Sequence, residues 1–323
     1  MSLIFIFLDG VGLAPIGPDN PLASADTPAL HALLGGPLTI EQVSDWRLAA
    51  GDGEKEFDSQ PPVACRPPPA QLLFKAIDAT LGVDGLPQSG TGQTALLAGV
   101  NAAVLHGRHQ PHVPPVALRE LLAERNIFRR VIARGGQATF ANPFGPGYWQ
   151  AVAARRIRRS ASVIAAEGAG LRFRDADDLR NGRAVSWDVT NAAMRARDIE
   201  APLVAPEQAG IHLAQLAHDH DLVFYESFLP DLAGHGRLDM GVPEAMALLD
   251  GLLGGALATM RPQDTLLLTS DHGNVESIAA PTHTRNPVPL LVVGPAARAF
   301  ADVASIMEIA DIVDKVTGCK MTG

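Results

Sequence analysis

Cysteine is almost missing: Cys65 and Cys319 are the two among 323 residues. A pair of thiols cannot build a disulfide framework, and it fits a reducing compartment. Positive charge is also short, with 26 Lys and Arg against 35 Asp and Glu and a formal net charge of −9. A chain of that sign does not suit a phosphate backbone, which argues against nucleic acid as a partner. Net charge does not govern a pocket, where a bound divalent cation reverses the field locally. No stretch approaches the ~20 consecutive apolar residues of a membrane span. The N-terminus has no basic segment ahead of its apolar run, and Asp9 cuts that run short, so it reads as a strand rather than a signal peptide. The expectation is a cytoplasmic protein with neither a membrane nor a nucleic acid for a partner. Charged residues are 19% and apolar ones 47%, which argues against disorder and allows a sizeable core. No internal repeat is visible.

What is present alternates between strand and helix. Leu3 to Leu8 is a continuous apolar run ending at Asp9-Gly10, the pattern of a central strand buried on both faces. Leu222 to Tyr225, Thr265 to Thr269 and Pro289 to Val293 are further short apolar strands, and 137–141 reads as another. Thr27 and Pro28 have the chemistry of a helix cap and first turn, opening a helix to Leu34. Helices are expected at 70–80, from Gln93 to Val100, and from Ala117 to Arg134. Five prolines within 59–69 make that stretch an irregular connection. Residues 143–212 differ in texture, with Arg155, Arg156, Arg158 and Arg159 close together. The fold expected is α/β: a mostly parallel sheet core flanked by helices, made of residues 1–142 and 213–323, with a small inserted cap at 143–212.

The polar motifs stand directly behind the apolar strands. Asp9 follows the first, Asp231 follows 222–225, and Asp271-His272 follows 265–269. In open α/β sheets, ligands bind beyond the carboxyl ends of the strands, so these motifs would converge on one edge. Three carboxylates in one pocket repel one another unless cations intervene. Histidines accompany them: Asp231 and His235 are four apart, on one side of a helical turn, and His283 follows a short loop. Taken singly, each piece is ordinary, since Asp-Gly is commonly a turn and Asp-x-x-x-His a solvated pair. Their joint placement behind strands favours a metal centre. Ser89 lies in a Gly-rich loop opening a helix, where backbone N–H groups favour an anion. It is either a helix cap or a nucleophile, with Thr91 as the competing hydroxyl. His106, His109 and His112 lie in the connection after that helix and read as hinge or surface residues.

These motifs resemble the alkaline-phosphatase-like metalloenzyme superfamily, and in particular the branch of cofactor-independent phosphoglycerate mutase and phosphopentomutase. The matching stretches are Phe7 to Gly12, Thr27 to Leu30, Gln88 to Gly92, Asp231 to His235, Thr269 to Asn274 and His283 to Pro289, in the family's order. The resemblance implies two divalent ions, manganese or zinc. Asp9, Ser89, Asp271 and His272 would serve one, and Asp231, His235 and His283 the other. It also favours Ser89 over Thr91, because the family nucleophile is followed three residues later by glycine, here Gly92. Two departures stand out: Gln93 where the mutases carry histidine, and a cap far smaller than the mutase substrate domain.

The implied chemistry is attack by Ser89 on the phosphorus of a small phosphate ester, followed by transfer from phosphoserine to water or to a sugar hydroxyl. The first outcome makes a phosphatase, a hydrolase; the second makes a phosphomutase, an isomerase. Arg285 and Asn20 are candidate substrate contacts by position. A phosphodiesterase of the same superfamily and a metal-stabilised binding protein without catalysis are the rival readings.

Overall fold

The structure, a computed structural model, describes residues 1–48, 71–196, 199–280 and 282–317. The proline-rich connection at 59–69 and both cysteines lie outside the described residues. Seven strands form one sheet: β1 (Leu3–Leu8), β2 (Ser44–Leu48), β3 (Gln71–Ile77), β4 (Ala138–Phe140), β5 (Leu222–Ser227), β6 (Thr265–Thr269) and β7 (Val288–Val293), in the order β2-β3-β7-β6-β1-β5-β4. β1 is central and parallel to both neighbours, with Leu3 opposite Leu222 on one side and Thr265 on the other. β4 continues the parallel set beside β5. β7 runs against β6, β3 against β7, and β2 against β3, so β2 and β7 oppose the other five. The expected mostly parallel α/β core is what forms.

Parallel neighbours need crossovers, and the crossover helices cover both faces of the sheet. That explains why the β1 run is apolar throughout. Leu3, Phe5 and Phe7 face a core shared with helices Ser89–Ala98, Ile127–Ala133, Ala161–Gly168 and Ile309–Thr317. Ile4, Ile6 and Leu8 face a second core built with helices Pro28–Leu34, Pro206–Leu216 and Val242–Thr259. The last of these is long and apolar enough to cross a membrane by length and composition. Here Leu249, Leu252, Leu253 and Ala256 bury one of its faces in the second core.

Two local expectations are corrected. Residues 71–77 form strand β3, not part of a helix over 70–80. Leu73 and Ile77 enter the first core while Leu72, Phe74 and Ala76 face the second, a period of two. A short apolar run satisfies either period, and the open edge of β7, paired from Leu72↔Val293 to Ile77↔Val288, settles it. The stretch from Ala117 to Arg134 is a short turn followed by two helices, Arg119–Glu124 and Ile127–Ala133. Asn126 breaks it: its Nδ2 donates to the carbonyls of Leu122 and Ala123, and its Oδ1 caps the N–H of Arg129. The helix after Thr27 forms as expected, but no hydroxyl cap is made there. The carboxylate of Asp250, from the Val242–Thr259 helix, accepts the N–H groups of Ala29 and Leu30 instead.

Within 143–212, helix Ala161–Gly168 is buried in the first core and helix Pro206–Leu216 packs along Val242–Thr259. Between them Leu179, Ala184, Met194 and Ala201 make a small cluster of their own. Arg155, Arg156, Arg158 and Arg159 are all exposed, and Arg159 pairs with Glu167.

Candidate metal centre

The carboxyl ends of β1, β5 and β6 meet at one edge of the sheet. Asp9 follows β1 directly, Asp271-His272 follows β6 after Ser270, and β5 leads into the short helix Leu229–Gly234 that carries Asp231. Ser89 is the first residue of its helix. The central strands are paired in register, so the ends of separate sequence segments are held side by side.

Two constellations result. In the first, His272 Nε2 lies 3.0 Å from Ser89 Oγ, 3.2 Å from Asp9 Oδ1 and 3.6 Å from Asp271 Oδ2. In the second, Asp231 Oδ1 lies 3.4 Å from His235 Nε2 and 3.5 Å from His283 Nε2, with the two imidazole nitrogens 3.3 Å apart. The rings of His272 and His283 stack at 3.7 Å, which joins the two groups. All seven residues singled out for metal or nucleophile roles are therefore brought together.

The crowding around His272 discriminates between chemistries. In a serine–histidine–acid triad, serine and carboxylate bind opposite ring nitrogens. Here Ser89, Asp9 and Asp271 all approach Nε2, while the buried Nδ1 has no hydrogen-bond partner among the described residues. Donor atoms from four side chains thus face a common point, as ligands do. Neither carboxylate oxygen of Asp271, a fully buried residue, meets a hydrogen-bond donor among the described residues. Burial, with the charges of Asp9 and Asp231, pushes Asp271 up to about 7. Burial and the charge of Asp231 hold Asp9 well above the carboxylate range. Asp231 goes the other way: burial raises it, but hydrogen bonds to His283 and Asn274 and the nearby His272 outweigh that and bring it to about 2. A pocket in which Asp9 and Asp271 resist ionisation for want of positive charge fits divalent cations.

Further groups hold these side chains. His283 Nδ1 donates to the Pro87 carbonyl at 2.8 Å, which orients the ring so that Nε2 faces the second constellation, 3.5 Å from Asp231 Oδ1. Asn274 Nδ2 donates to Asp231 Oδ1 at 2.7 Å. Gln93, at the position where the sequence departs from the mutase pattern, donates to Asp9 Oδ2 at 3.2 Å. Thr91 is fully buried, its hydroxyl donating to Gln88 and accepting from Gln110, so Ser89 is the hydroxyl of that loop that faces His272.

The two candidate substrate contacts stand differently. Asn20 is buried, and its polar atoms serve its own loop: Nδ2 donates to Ala14 and Pro15, and Oδ1 accepts from Leu22. Arg285 is exposed and donates to the Gly85 carbonyl at 2.6 Å. His106, His109 and His112 join neither constellation. Two buried acids close to these constellations escaped sequence reasoning. Glu226, near the end of β5, accepts from Ser162 and is pushed up to about 8 by burial; its signal was a charged residue inside an apolar strand. Glu276, two residues past Asn274, had no signal beyond its nearness to that motif.

The comparisons with known proteins agree with this geometry. The model of the Metalloenzyme superfamily matches residues 188–317. Phosphopentomutase from Symbiobacterium thermophilum is 35% identical over 151 residues, 45% of this chain and 36% of that protein. The 2,3-bisphosphoglycerate-independent phosphoglycerate mutase of Syntrophotalea carbinolica is 33% identical over 106 residues, 30% of this chain and 21% of that protein. The matches thus span about a third or less of these relatives' lengths. Among solved structures, alkaline phosphatase from the Antarctic bacterium TAB5 aligns over 98% of each chain at 14% identity, with a TM-score of 0.49. The resemblance read from the motifs is borne out by the superfamily match and the two mutase relatives, and with it the implication of divalent metal.

Proposed function

We propose that this chain is a two-metal phosphoryl-transfer enzyme acting on a small phosphate ester through a phosphoserine at Ser89. The observation that carries the reading is the convergence on His272 Nε2 of Ser89, Asp9 and Asp271, beside Asp231, His235 and His283. Asp9, Asp271 and His272, with Ser89, are the residues to hold one ion; Asp231, His235 and His283 are those to hold the other. Manganese and zinc both suit carboxylate and imidazole donors. When bound, such ions neutralise phosphate oxygens and favour the ionised form of a serine hydroxyl.

The chain's own residues then do the following. Ser89 Oγ forms a bond to phosphorus as the ester P–O bond breaks, and the leaving oxygen departs with that electron pair and gains a proton. Gln93, Asn274 and the Pro87 carbonyl keep Asp9, Asp231 and His283 oriented while charge redistributes. Water or a second substrate hydroxyl next attacks the phosphoserine, releasing Ser89. Arg285 is the rim cation of this proposal, and reaching a phosphate requires it to leave the Gly85 carbonyl. Asn20 is left out of substrate binding because its loop uses all its polar atoms. The inserted unit is kept at 143–212, and the cytoplasmic assignment is kept with it.

The test is incubation of manganese- or zinc-loaded protein with a panel of phosphomonoesters and diesters, followed by intact mass and phosphosite mapping. Phosphate on Ser89, lost in Ser89→Ala, supports the reading. Released phosphate marks a phosphatase and isomerised ester a mutase. Two bound ions with neither phosphoenzyme nor turnover across the panel would count against catalysis and for the binding-protein alternative.

A further inference from the structure

Glu276 is 1% exposed and accepts four hydrogen bonds. Its Oε2 takes the backbone N–H of Gly12 at 3.0 Å and of Asn274 at 2.9 Å. Its Oε1 takes the Thr284 hydroxyl and, at 3.0 Å, the side-chain amide of Asn286. Four acceptor sites are what a carboxylate offers, and all are used. No lysine, arginine or histidine forms an ion pair with it among the described residues, so backbone and side-chain donors alone offset the cost of burying it.

The partners share a property. Gly12 lies three residues past Asp9, Asn274 lies two past His272, and Thr284 follows His283. Asn274 also holds Asp231 through its side chain. One buried carboxylate therefore ties together three loops that reach both metal constellations. Further bonds run in parallel: Val275 N–H to the Gly10 carbonyl at 3.1 Å and Thr284 N–H to the Gly273 carbonyl at 2.9 Å. Two glycines make room for this. A Cβ on Gly12 would overlap the Glu276 carboxyl group, and one on Gly273 would overlap both Thr284 Oγ1 and Glu276 Oε1.

We propose that Glu276 is the positioning residue of the metal centre, a clamp that sets the spacing between the Asp9, Asp271-His272 and His283 loops before any ion binds. The inference rests on the metal-centre reading above. Outer-shell hydrogen-bond partners of ligands typically change metal affinity by ~10–100-fold when lost. Glu276 acts one step further out but on three loops at once, so a loss in that range at both sites is expected for Glu276→Ala. Glu276→Gln should recover part of it: its amide oxygen can serve the two backbone N–H groups, and Thr284 and Asn286 can each turn an acceptor toward its N–H₂.

The experiment uses chelator-stripped full chain and two readouts. The first is Mn²⁺ titration calorimetry, giving the affinity of each site. The second is hydrogen exchange of the metal-free protein over peptides covering 9–13, 271–278 and 283–287. The clamp predicts weaker binding at both sites in E276A, faster exchange in all three segments together, and partial rescue in E276Q. A core variant far from the loops, Leu249→Ala, should lower the unfolding midpoint while leaving Mn²⁺ affinity intact. Exchange that rises only in 271–278, an affinity loss confined to one site, E276Q no better than E276A, or an equal affinity loss in L249A would each overturn the proposal. If E276A does not fold, E276Q and Thr284→Val carry the same comparison. If the wild-type chain binds no Mn²⁺ or Zn²⁺, the metal reading fails, and the exchange pattern alone decides whether the clamp exists.

Discussion

The metal edge and the second core treat buried carboxylates in opposite ways. Asp250 receives two backbone N–H groups at the start of helix Pro28–Leu34. Asp264, fully buried, accepts from the Ser2 N–H and from the guanidinium of Arg261. Both are structural acids, and each has its donors built in. Asp271 is buried as deeply and has none. A carboxylate placed in a core without donors is costly, and a cation bound as proposed would offset that cost for the three acids gathered at the sheet edge. The contrast teaches how to sort buried acids: satisfaction marks a structural role, and orphaned oxygens facing imidazoles mark a site awaiting positive charge.

The comparison can be sharpened in several ways. The largest effect is expected from Ser89→Ala. Loss of the nucleophile should cut turnover by about a thousandfold or more, on the scale of removing a catalytic serine, and abolish the phosphoenzyme. Steady-state assays with mass spectrometry check this.

Asp271→Asn tests the contrast more directly, because its two consequences have opposite sign. Divalent affinity at the Asp9/Asp271/His272 site should collapse, while the metal-free protein should melt higher, by on the order of 2–4 °C for each kcal/mol of relieved burial cost. Calorimetry on stripped protein measures both, and a lower melting point would break the comparison.

The pH dependence follows from the same groups. Burial holds Asp271 up to about 7 and Glu226 up to about 8, far above the ~4 of ordinary carboxyls in an unfolded chain. Between pH ~4 and ~8 these carboxyls bind more protons in the folded, metal-free chain than in the unfolded one, and their contribution to stability falls as pH rises. His109, His212 and His235, lowered first by burial, act oppositely. Asp231, brought to about 2, acts oppositely and only below that window. Melting of stripped protein at pH 5 and pH 8 should show the lower value at pH 8, and excess Mn²⁺ should reverse the order by binding the ionised form.

On the structural side, Asp250→Ala should cost about 1–2 kcal/mol, the worth of a helix cap, without changing metal affinity. Denaturant titration of the variant reads it. The smallest change is expected from Glu226→Gln, which should reduce the stability slope across the whole interval between pH ~4 and ~8 while leaving the share of Asp271 in place.

Legibility followed the range of the interactions involved. The β1 run and Asp9, the Asp-x-x-x-His spacing, and Asp271-His272 behind β6 were readable because each pairs a local periodicity with costly polar residues at its end. The same local logic misassigned 71–77, where a short apolar run fits helix or strand, and missed the break at Asn126, whose side chain competes with the backbone for hydrogen bonds. Asn20 and Arg285 were placed by motif position, and position along a chain does not say whether a side chain's atoms are already engaged.

By itself, the sequence determined the composition of the sheet's centre, the order of the Asp and His motifs behind its strands and the Gly-rich loop that holds Ser89. These depend on residue type and spacing of a few positions. Tertiary structure decided what depends on contacts across hundreds of residues. It brought Asp9 to His272 and Asp231 to His283, turned three side-chain oxygens onto one nitrogen of His272, left Asp271 without hydrogen-bond donors among the described residues, and set Glu276 between three loops. Distances and burial arise from the packing of segments far apart in the chain, and they separate an unsatisfied metal-seeking acid from a satisfied structural one.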